Sequence, residues 1–506
     1  MKNKKKKRKH NTTYLPVWIT LFLMLTVIAT VVILRSGLSR PADPSPATAQ
    51  ATVPATPAAM DLPTPARTFD GIVSMQFSPQ PATDEAADEP SPLPVPEVDK
   101  AFEGSLPVLY LSTDDGRSIT SRDDYASGKL QLDGVEYTLG IRGRGNTSWR
   151  YFPQKSYLLK LDERVSLLGM VPAQKYVLVS SYSDRSLIRN CVAMDIAACM
   201  DHLEYTPKQC LVDVYLNNKY IGVYTFSEKI EPGQDKIDLF AQTGDGIQET
   251  VPGETPFLLE TGMDLFNFNV RYGKDYFTTP HSPRLTFLYP EFDTAGTEEA
   301  KYIMDYMNAV DSAFVNKEGY EDLIDVASWV DWFIVMEMTV NTDSALWRST
   351  FLYRQEGGKL KIGPVWDFDM AMGNFSYDNP TYRYWASAEQ IYNQAQNHYM
   401  SYLYKSDAFM EAVRARWDEK KEELLQTALD SVDRHAEEVS ISRPYNDGVY
   451  GRSSRDAQAT GLKDFLQKRY DWIDESIHME GFNRHAPTQS IGETTNAENA
   501  AEGEDT

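Results

Sequence analysis

Apolar runs divide the chain into an N-terminal segment and a long folded region. Residues 15–34 are about twenty residues almost without polar groups, enough for a helix to span a bilayer at ~1.5 Å per residue. Residues 2–9 carry seven lysines and arginines, which place that end in the cytoplasm and most of the chain outside. A secretory signal peptide is the alternative, but RSGL at residues 35–38 is a poor cleavage site. We therefore predict one uncleaved transmembrane helix after a cytoplasmic tail, residues 1–14.

Short apolar and alternating runs predict β-strands in the first half of the folded region. Turn residues separate these runs, including Asp133-Gly134 and Asn217-Asn218-Lys219. The predicted strands are PVLYLST in residues 106–113, a hairpin over residues 128–146, KSYLLKL from Lys155, a hairpin of residues 211–216 and 220–226, and FLLE in residues 257–260.

Apolar residues at helical spacing predict five helices. The first spans residues 184–200, with Asp184 as its N-cap. The others span residues 297–315, 323–340, 406–438 and 462–479. The last two carry apolar stripes amid charge, which is typical of a helical bundle that supports a cleft.

One hairpin stands between three acidic residues. Residues 350–354 and 359–362 are β-prone runs, and a Gly-Gly pair between them allows a tight turn. The hairpin would bring Asp343 before it close to Asp367 and Asp369 after it. The last two would point to the same side if the chain there is extended.

These three acids fit the chemistry of a magnesium-nucleotide site. Mg²⁺ is held by one or two carboxylates plus phosphate oxygens, and a separate carboxylate must orient or deprotonate the attacking hydroxyl. The alternative is that the aspartates cap turns or pair with nearby arginines and lysines. Apolar neighbours, among them Trp366 and Phe368, favour a cleft, where unpaired carboxylates are costly without a cation.

Composition and charge define the flanks and exclude some functions. Residues 35–98 are rich in Pro, Ala and Thr and predict an extended linker, while residues 482–506 predict a disordered acidic tail. The net charge is −23, and −30 without the seven N-terminal cations. Such an acidic surface argues against nucleic acid as a partner. It would suit a basic, serine-rich protein substrate, although a solvated acidic surface needs no partner.

Metal-thiolate and hydrolase chemistry find no support. Cys191, Cys199 and Cys210 are the only cysteines, and no CxxC or Cys/His ligand spacing is present, which disfavours zinc. Cys191 and Cys199 lie too far apart along one predicted helix to form a disulfide. No GxSxG motif is present, which disfavours a hydrolase triad.

The motif GPVWDFDMAMGN, preceded by NTD, resembles the signature of the spore coat protein CotH kinase family. Five upstream blocks resemble family blocks in the same order: RGRGNTSW, QKSYLLKL, LLGM, YSDRSLIRN and VYLNNKYIGVYTFSE. The family consists of atypical, protein-kinase-like enzymes that phosphorylate proteins on serine. The resemblance implies an α+β, two-lobed protein-kinase-like fold after the transmembrane helix, with an N-lobe in residues 99–262 and a C-lobe in residues 263–481.

The resemblance also implies roles for the acids. Asp343 would be the catalytic base or orienting carboxylate, while Asp367 and Asp369 would hold Mg²⁺, or Mn²⁺, for ATP. Ordinary protein kinases carry a metal-binding Asn five residues after the catalytic Asp, whereas Arg348 stands there in this chain. HRD, GxGxxG and APE motifs are also missing from the sequence, so control by activation-loop phosphorylation is not predicted.

Four further residues are candidates for nucleotide contact. Arg142 and Arg144 alternate with glycines and could approach a triphosphate, or they could decorate a solvent-exposed turn. Lys155 could bind phosphates as the strand lysine of kinases does, or it could be solvated. Glu228, at the expected connection between the lobes, could contact the nucleotide or pair with its neighbour Lys229.

The sequence thus predicts a membrane-anchored kinase with its catalytic domain outside the cytoplasm. It would transfer the γ-phosphoryl group of ATP to serine or threonine of a surface or coat protein. The main alternative is a non-catalytic surface adhesion or envelope-scaffold protein with a kinase-like fold, with Ca²⁺ in its acidic cluster. A glycan-modifying enzyme is disfavoured because Asp367 and Asp369 are so close in sequence and no separate acid is evident.

Overall fold

The computed structural model describes residues 106–240, 254–262, 270–341, 343–344, 346, 348–374, 399–452 and 459–479. The strands are β1 (Val108–Thr113), β2 (Ala126–Leu132), β3 (Val135–Arg144), β4 (Ser156–Val165), β5 (Ala173–Ser180), β6 (Gln209–Leu216), β7 (Lys219–Glu228), β8 (Phe257–Thr261), β9 (Tyr276–Phe277), β10 (Leu285–Tyr289), β11 (Phe351–Arg354) and β12 (Leu360–Ile362). The helices are α1 (Thr147–Tyr151), α2 (Arg189–Ala198), α3 (Glu298–Asn316), α4 (Tyr320–Leu323), α5 (Val326–Thr339), α6 (Tyr399–Tyr404), α7 (Asp407–Glu438), α8 (Arg443–Val449) and α9 (Ala459–Ile477).

Strands β1 to β7 form a closed barrel in the order β1-β2-β3-β4-β5-β7-β6. Every neighbouring pair is antiparallel except β1 and β6, which are parallel. Alternate residues fill the barrel, among them Leu139 and Ile141 of β3. Gly143 continues this inward series beneath the Trp149 ring, where a Cβ atom would come within 2.4 Å of the ring. Arg142 and Arg144 therefore lie on the outer face of the barrel.

The second sheet has the order β12-β11-β8-β10-β9, and all its neighbouring pairs are antiparallel. Its core is shared with the long helices and includes Leu259 and Leu352 from the sheet, Trp332 from α5 and Trp417 from α7. The predicted boundary between the lobes, at residues 262 and 263, would leave β8 with the N-lobe. In the structure β8 pairs with β10 and β11 in the second sheet.

A separate apolar cluster joins the barrel to the second sheet. Leu158 of β4 and Val177 of β5 face out of the barrel and pack with Leu258, Phe351 and Trp366 from the other side. Removing this apolar surface from water stabilises the contact between barrel and sheet. The cluster therefore fixes the outer face of the barrel relative to the segment that carries the acidic residues.

Most of the predicted elements are confirmed. The three predicted hairpins form, with Gln209–Leu216 and Lys219–Glu228 slightly longer than expected, and Ser406 caps α7 through the Phe409 amide. The helix expected over residues 323–340 forms as α5 (Val326–Thr339). It begins three residues later than expected because Asp325 caps it by accepting a hydrogen bond from the Ser328 amide at 2.9 Å.

The prediction that Asp184 caps α2 is wrong. Helix α2 begins at Arg189, and the Asp184 carboxylate accepts hydrogen bonds from the Ser186 amide at 2.8 Å and the Arg189 amide at 2.9 Å. Its Oδ1 atom also pairs with the Arg189 guanidinium, and both side chains are buried. The carboxylate therefore stabilises the turn before the helix. The spacing of residues in the sequence cannot distinguish this role from that of an N-cap.

No helix among the described residues is long and apolar enough to cross a membrane. The predicted span, residues 15–34, lies outside those residues, as do the predicted linker and the acidic tail. The transmembrane helix therefore stays a prediction.

A buried ion pair connects α9 to α5. Helix α5 leads into residues 341–374, which carry the three aspartates and are called the acidic segment below. The Arg469 guanidinium donates to the Glu337 carboxylate at 2.7 Å and to the Glu337 carbonyl at 2.6 Å. The exposed fractions of the two side chains are 0% and 1%. Removing one member of such a pair is strongly destabilising because a charge stays buried.

We predict that Arg469→Met lowers the free energy of unfolding by about 3–5 kcal/mol. Urea denaturation of the folded region would measure this. Lys463→Met is the matched control, because Lys463 lies on the same helix as Arg469 but pairs at the surface with Asp433 of α7. This substitution should change the free energy of unfolding by less than about 0.5 kcal/mol. Equal effects of the two substitutions would contradict the role given to the buried pair.

Helix α8 is docked on the barrel through a buried carboxyl group. Asp213 of β6 accepts hydrogen bonds from the Tyr220 hydroxyl at 2.5 Å and from the Ser442 hydroxyl at 2.5 Å, and it is fully buried. Burial raises the pKa of Asp213 to about 6, although both hydrogen bonds oppose the rise. The folded protein therefore holds a proton on this group more tightly than the unfolded chain does.

The sign of the pH effect follows from that raised pKa. The stability contributed by protonated Asp213 is complete below the ordinary value of 3.8 and is lost as pH rises through about 6. Asp213→Asn should therefore gain stability relative to the native protein between about pH 4 and pH 7, by roughly 3 kcal/mol at most. Urea denaturation at several pH values tests this, and parallel profiles for the two proteins would refute it.

Candidate active site

Helix α5 delivers the chain to the acidic segment. The helix ends at Thr339, and Val340 adopts a left-handed conformation that turns the chain sharply. Asn341 then donates from Nδ2 to the Asp367 carbonyl at 2.9 Å. The Met372 amide donates to the Thr339 carbonyl at 2.7 Å. These two bonds fix the segment after β12 to the end of α5.

The chain at Asp367 is not extended. Its φ angle is 69°, in the left-handed region that non-glycine residues rarely adopt. Asp367 and Asp369 were expected to point to the same side only if the chain between them is extended. The chain is not extended there, so that argument does not apply. The Asp367 carboxylate accepts a hydrogen bond from the Ser349 hydroxyl at 3.0 Å.

Asp369 is held by the loop that precedes α2. Its carboxylate accepts a hydrogen bond from the Ser183 hydroxyl. Asn374 connects the same two segments, because its Nδ2 atom donates to the Ser183 carbonyl at 3.0 Å and also to the Asp369 carbonyl. Side chain and backbone of Asp369 are thus both fixed.

Helix α2 supports the acidic segment from behind. The Phe368 amide donates to Asn190 Oδ1 at 2.9 Å. Arg189 donates from Nε to the Ala371 carbonyl at 3.0 Å. Both side chains are buried, so their bonds to the segment are protected from competing water. The first turn of α2 therefore sets the position of the backbone on both sides of Asp369.

Asp343 stands before the hairpin, and it is close enough to Asp367 for the two carboxylates to interact. Its nearest cation is Arg348, whose guanidinium is 3.5 Å from the Asp343 carboxylate. Burial raises the pKa of Asp343; Arg348 opposes the rise, and the Asp367 carboxylate adds to it. The Asp343 side chain is still 28% exposed, so solvent reaches its carboxylate.

Asp369 interacts with both of the other aspartates. Burial and the nearby Asp367 carboxylate raise its pKa well above the ordinary range, and Asp343 contributes, while the Ser183 hydrogen bond opposes the rise. Carboxylates this close together repel one another when they are ionised, and a bound cation would relieve that repulsion. An oxygen-rich set of this kind fits a hard divalent cation.

The three aspartates are spaced more widely than a ready-made cage of protein ligands. Among the described residues, two other groups of three have ligand atoms within 4.8 Å of one another: Asp201, His202 and Asp331, and Asp418, Asp474 and His478. Arginine and lysine already pair with both of these groups, Arg416 with the first and Lys421 with the second. The wider spacing around Asp367 agrees with Mg²⁺, which takes only one or two carboxylates and fills its shell with phosphate and water oxygens.

Arg144 faces the acidic segment from the barrel. Its guanidinium lies 5.3 Å from the centroid of the Trp366 ring. Burial lowers the pKa of Arg144, while Glu260 and Asp367 oppose the change. Arg144 thus lies near Asp367 and Glu260, and its predicted role toward a nucleotide stays a prediction.

The other three candidates make contacts within the barrel and its flanks. Arg142 stacks on Tyr125, with its guanidinium 5.2 Å from the ring centroid. Lys155 donates to the Trp149 carbonyl at 2.6 Å, and burial lowers its pKa. Their roles toward a nucleotide stay predictions.

Glu228 is buried and occupied by structural hydrogen bonds. Its carboxylate accepts from the Val171 amide at 2.6 Å, the Tyr205 hydroxyl at 2.8 Å and the Lys208 amide at 3.1 Å. The described contacts of Glu228 connect strands and loops of the barrel and do not include the three aspartates. They offer no support for nucleotide contact, and the alternative pairing with Lys229 is not seen either.

Sequence reasoning missed the polar residues that hold the acids in place. These are Ser183, Asn190, Asn341, Ser349 and Asn374, together with Glu260 near Arg144. Two of them could have been suspected, because Asn341 and Asn374 stand at the two ends of the motif segment. The others carry no local signal, since serine and asparagine are common in loops.

The comparison with known families agrees with this geometry. A family model described as CotH kinase protein matches residues 141–473, which include Arg144, all three aspartates and the two helices that hold them. The chain belongs to the CotH kinase family. As a CotH-family protein it is kinase-like, and its mixed α/β architecture agrees with that assignment. No curated protein matches the chain.

If mutual repulsion strains this CotH-family site, removing one charge should stabilise the protein without metal. We predict that Asp369→Asn raises the free energy of unfolding at about pH 8 by on the order of 1 kcal/mol. The same substitution should abolish any rise in melting temperature caused by Mg²⁺ or Mn²⁺. Differential scanning calorimetry with and without each ion measures both effects.

The control is Asp464→Asn, at an exposed position of α9 where Asp464 pairs with Lys468. It should leave both the stability without metal and the response to metal close to those of the native protein. A less stable Asp369→Asn protein that still responds to the ions would contradict the electrostatic account.

Proposed function

We propose that this protein transfers the γ-phosphoryl group of ATP to a serine or threonine hydroxyl of a protein. One observation carries the proposal: three partly buried carboxylates close to one another, with the Arg144 guanidinium of the barrel nearby, in a chain of the CotH kinase family. Phosphoryl transfer depends on positioning and charge neutralisation more than on covalent chemistry. Carboxylates that bind a metal ion and an arginine that binds phosphate are therefore the groups that this reaction needs.

Asp343 is the catalytic base in this proposal. It accepts the proton of the acceptor hydroxyl as the hydroxyl oxygen forms its bond to the γ-phosphorus, and the bond from that phosphorus to the β,γ-bridging oxygen breaks to release ADP. Arg348, 3.5 Å away, orients the Asp343 carboxylate and opposes the rise in its pKa that burial causes. The Asp367 charge favours proton uptake by Asp343 as the reaction proceeds.

Asp367 and Asp369 are the residues that would hold Mg²⁺ or Mn²⁺. The bound ion supplies charge neutralisation for the phosphate oxygens. The hydroxyls of Ser183 and Ser349 orient the two carboxylates, and Asn341 and Asn190 fix the backbone between them. Preorganised ligands of this kind lose little freedom when the ion binds.

The substrate and the location belong to the same proposal. The acidic composition favours a basic, serine-rich protein at the cell surface or in a coat. The apolar run in residues 15–34 supports a single-pass anchor with the kinase domain outside the cytoplasm. A membrane anchor would keep the enzyme close to a substrate in the envelope.

We predict that Asp343→Asn lowers the rate of phosphoryl transfer by about 10²–10⁴-fold, because the base is lost, while binding of Mg-ATP is retained. Asp367→Asn should lose both transfer and metal-dependent nucleotide binding. The assay uses the full chain in detergent with γ-labelled ATP, Mg²⁺ or Mn²⁺, and a basic serine-rich acceptor. Nucleotide binding is measured separately by isothermal titration calorimetry.

Asp464→Asn serves again as the control and should retain full activity. The three variants must melt within a few degrees of the native protein for the comparison to be valid. Binding of a divalent ion without nucleotide, and no transfer with either metal, would overturn the kinase proposal. That result would favour a non-catalytic surface or scaffold protein that keeps the kinase-like fold.

A further inference from the structure

We infer that Glu260 is a positioning residue that, together with Trp366, holds the Arg144 guanidinium toward the phosphate being transferred. This inference rests on the proposed function. It adds an acid that orients the phosphate-binding arginine. Ordinary protein kinases orient their phosphate-binding lysine with a glutamate from a helix. Here the cation would be an arginine of the barrel, and the acid would come from a strand of the second sheet.

The register of the second sheet places Glu260 beside the acidic segment. Glu260 of β8 is paired with Phe351 of β11. The carbonyl of the next residue, Thr261, accepts a hydrogen bond from the Ser349 amide at 3.0 Å. Ser349 in turn donates from its hydroxyl to Asp367 at 3.0 Å. Glu260 is therefore connected to Asp367 through a short chain of main-chain and side-chain hydrogen bonds.

The side chain of Glu260 leaves the strand on the face that meets the barrel. It has the same parity along β8 as Leu258, and Leu258 packs in the apolar cluster that contains Trp366. The Arg144 guanidinium lies over the ring of the same tryptophan. Strand register and the stacking contact thus bring Glu260, Trp366 and Arg144 together, independently of any electrostatic argument.

Neither charged group is used elsewhere in the described structure. Arg144 and Glu260 are half-buried, and neither makes a hydrogen bond or an ion pair within 4.0 Å to another described residue. Burial raises the pKa of Glu260, and Arg144 and Lys229 oppose the rise. Partly buried charges without direct partners are costly. A phosphate could therefore pair with the guanidinium, while the charge of Glu260 limits how the arginine moves.

Helix α2 does not offer an alternative acid. Its residues nearest the site, Arg189 and Asn190, are occupied by bonds to the acidic segment. The acid further along the helix, Asp195, bonds to Ser431 and to His435 at 2.8 Å, and pairs with Arg434. Among the described acids near Arg144, Glu260 is therefore the one left to orient it without also binding the metal.

A double-mutant cycle tests the inference, with Glu260→Gln, Arg144→Ala and the double variant in the full chain. We expect Glu260→Gln to raise the KM for ATP and to lower kcat/KM about tenfold, since coupled residues interact by about 1.4 kcal/mol. Arg144→Ala should lose more. The double variant should be no worse than Arg144→Ala, because Glu260 acts only through the arginine. Glu260→Asp should recover part of the loss.

Two further measurements separate positioning from other roles. The Mg²⁺ concentration that gives half the maximal rate at saturating ATP should be unchanged in Glu260→Gln. Glu204→Gln is the matched control: Glu204 accepts from Tyr353 at 3.1 Å and pairs with Lys361 in the second sheet, and its loss should not change the KM for ATP. Melting temperatures of all variants check that each one is folded.

Additive losses in the cycle, or an increased Mg²⁺ requirement in Glu260→Gln, would overturn the inference; the second result would make Glu260 a metal ligand. If the native protein transfers no phosphate, the same cycle is measured on the Kd of Mg-ATP and of tripolyphosphate. Coupling in binding without transfer would reject the reaction and support the positioning role. Absence of binding to either compound would reject both.

Discussion

Repulsion among three carboxylates is the interaction on which the site depends. Burial and mutual repulsion raise the pKa of Asp343 and Asp369, and Asp367 contributes to both shifts. Such a cluster is costly to a fold unless a cation binds to it. Each surrounding element can be understood by how it keeps these acids together.

The two parts of the fold contribute different things to the site. The second sheet and α5 supply the acids on a hairpin, and the buried pair of Arg469 and Glu337 fixes α5 from behind. The barrel supplies the cation, because Gly143 turns inward beneath Trp149 and leaves Arg144 outside. The apolar cluster between barrel and sheet keeps cation and acids at a constant separation. The geometry of the candidate site is therefore a property of the contact between the parts.

Local signals were sufficient to predict the hairpin that stands between the three aspartates, because two β-prone runs and a glycine pair lie within one short segment. The partners of those acids could not be predicted, since Ser183 and Asn190 are 186 and 178 positions away from the residues that they hold. The start of α2 was missed for a related reason. An aspartate before an apolar helical run looks like a cap, whereas the buried Arg189 here takes its carboxylate. Strand β8 gave an apolar signal but no indication that its last residues face the site.

The most direct test of this account is the position of a bound metal ion. A crystal of the protein grown with Mn²⁺ and a non-hydrolysable ATP analogue would show the ion by its anomalous scattering. The account predicts an Mn²⁺ peak bound by Asp367 and Asp369, with the terminal phosphate between the ion and Arg144. An Mn²⁺ ion bound only at another acidic group, such as Asp201, His202 and Asp331, with no nucleotide near Asp343, would contradict it.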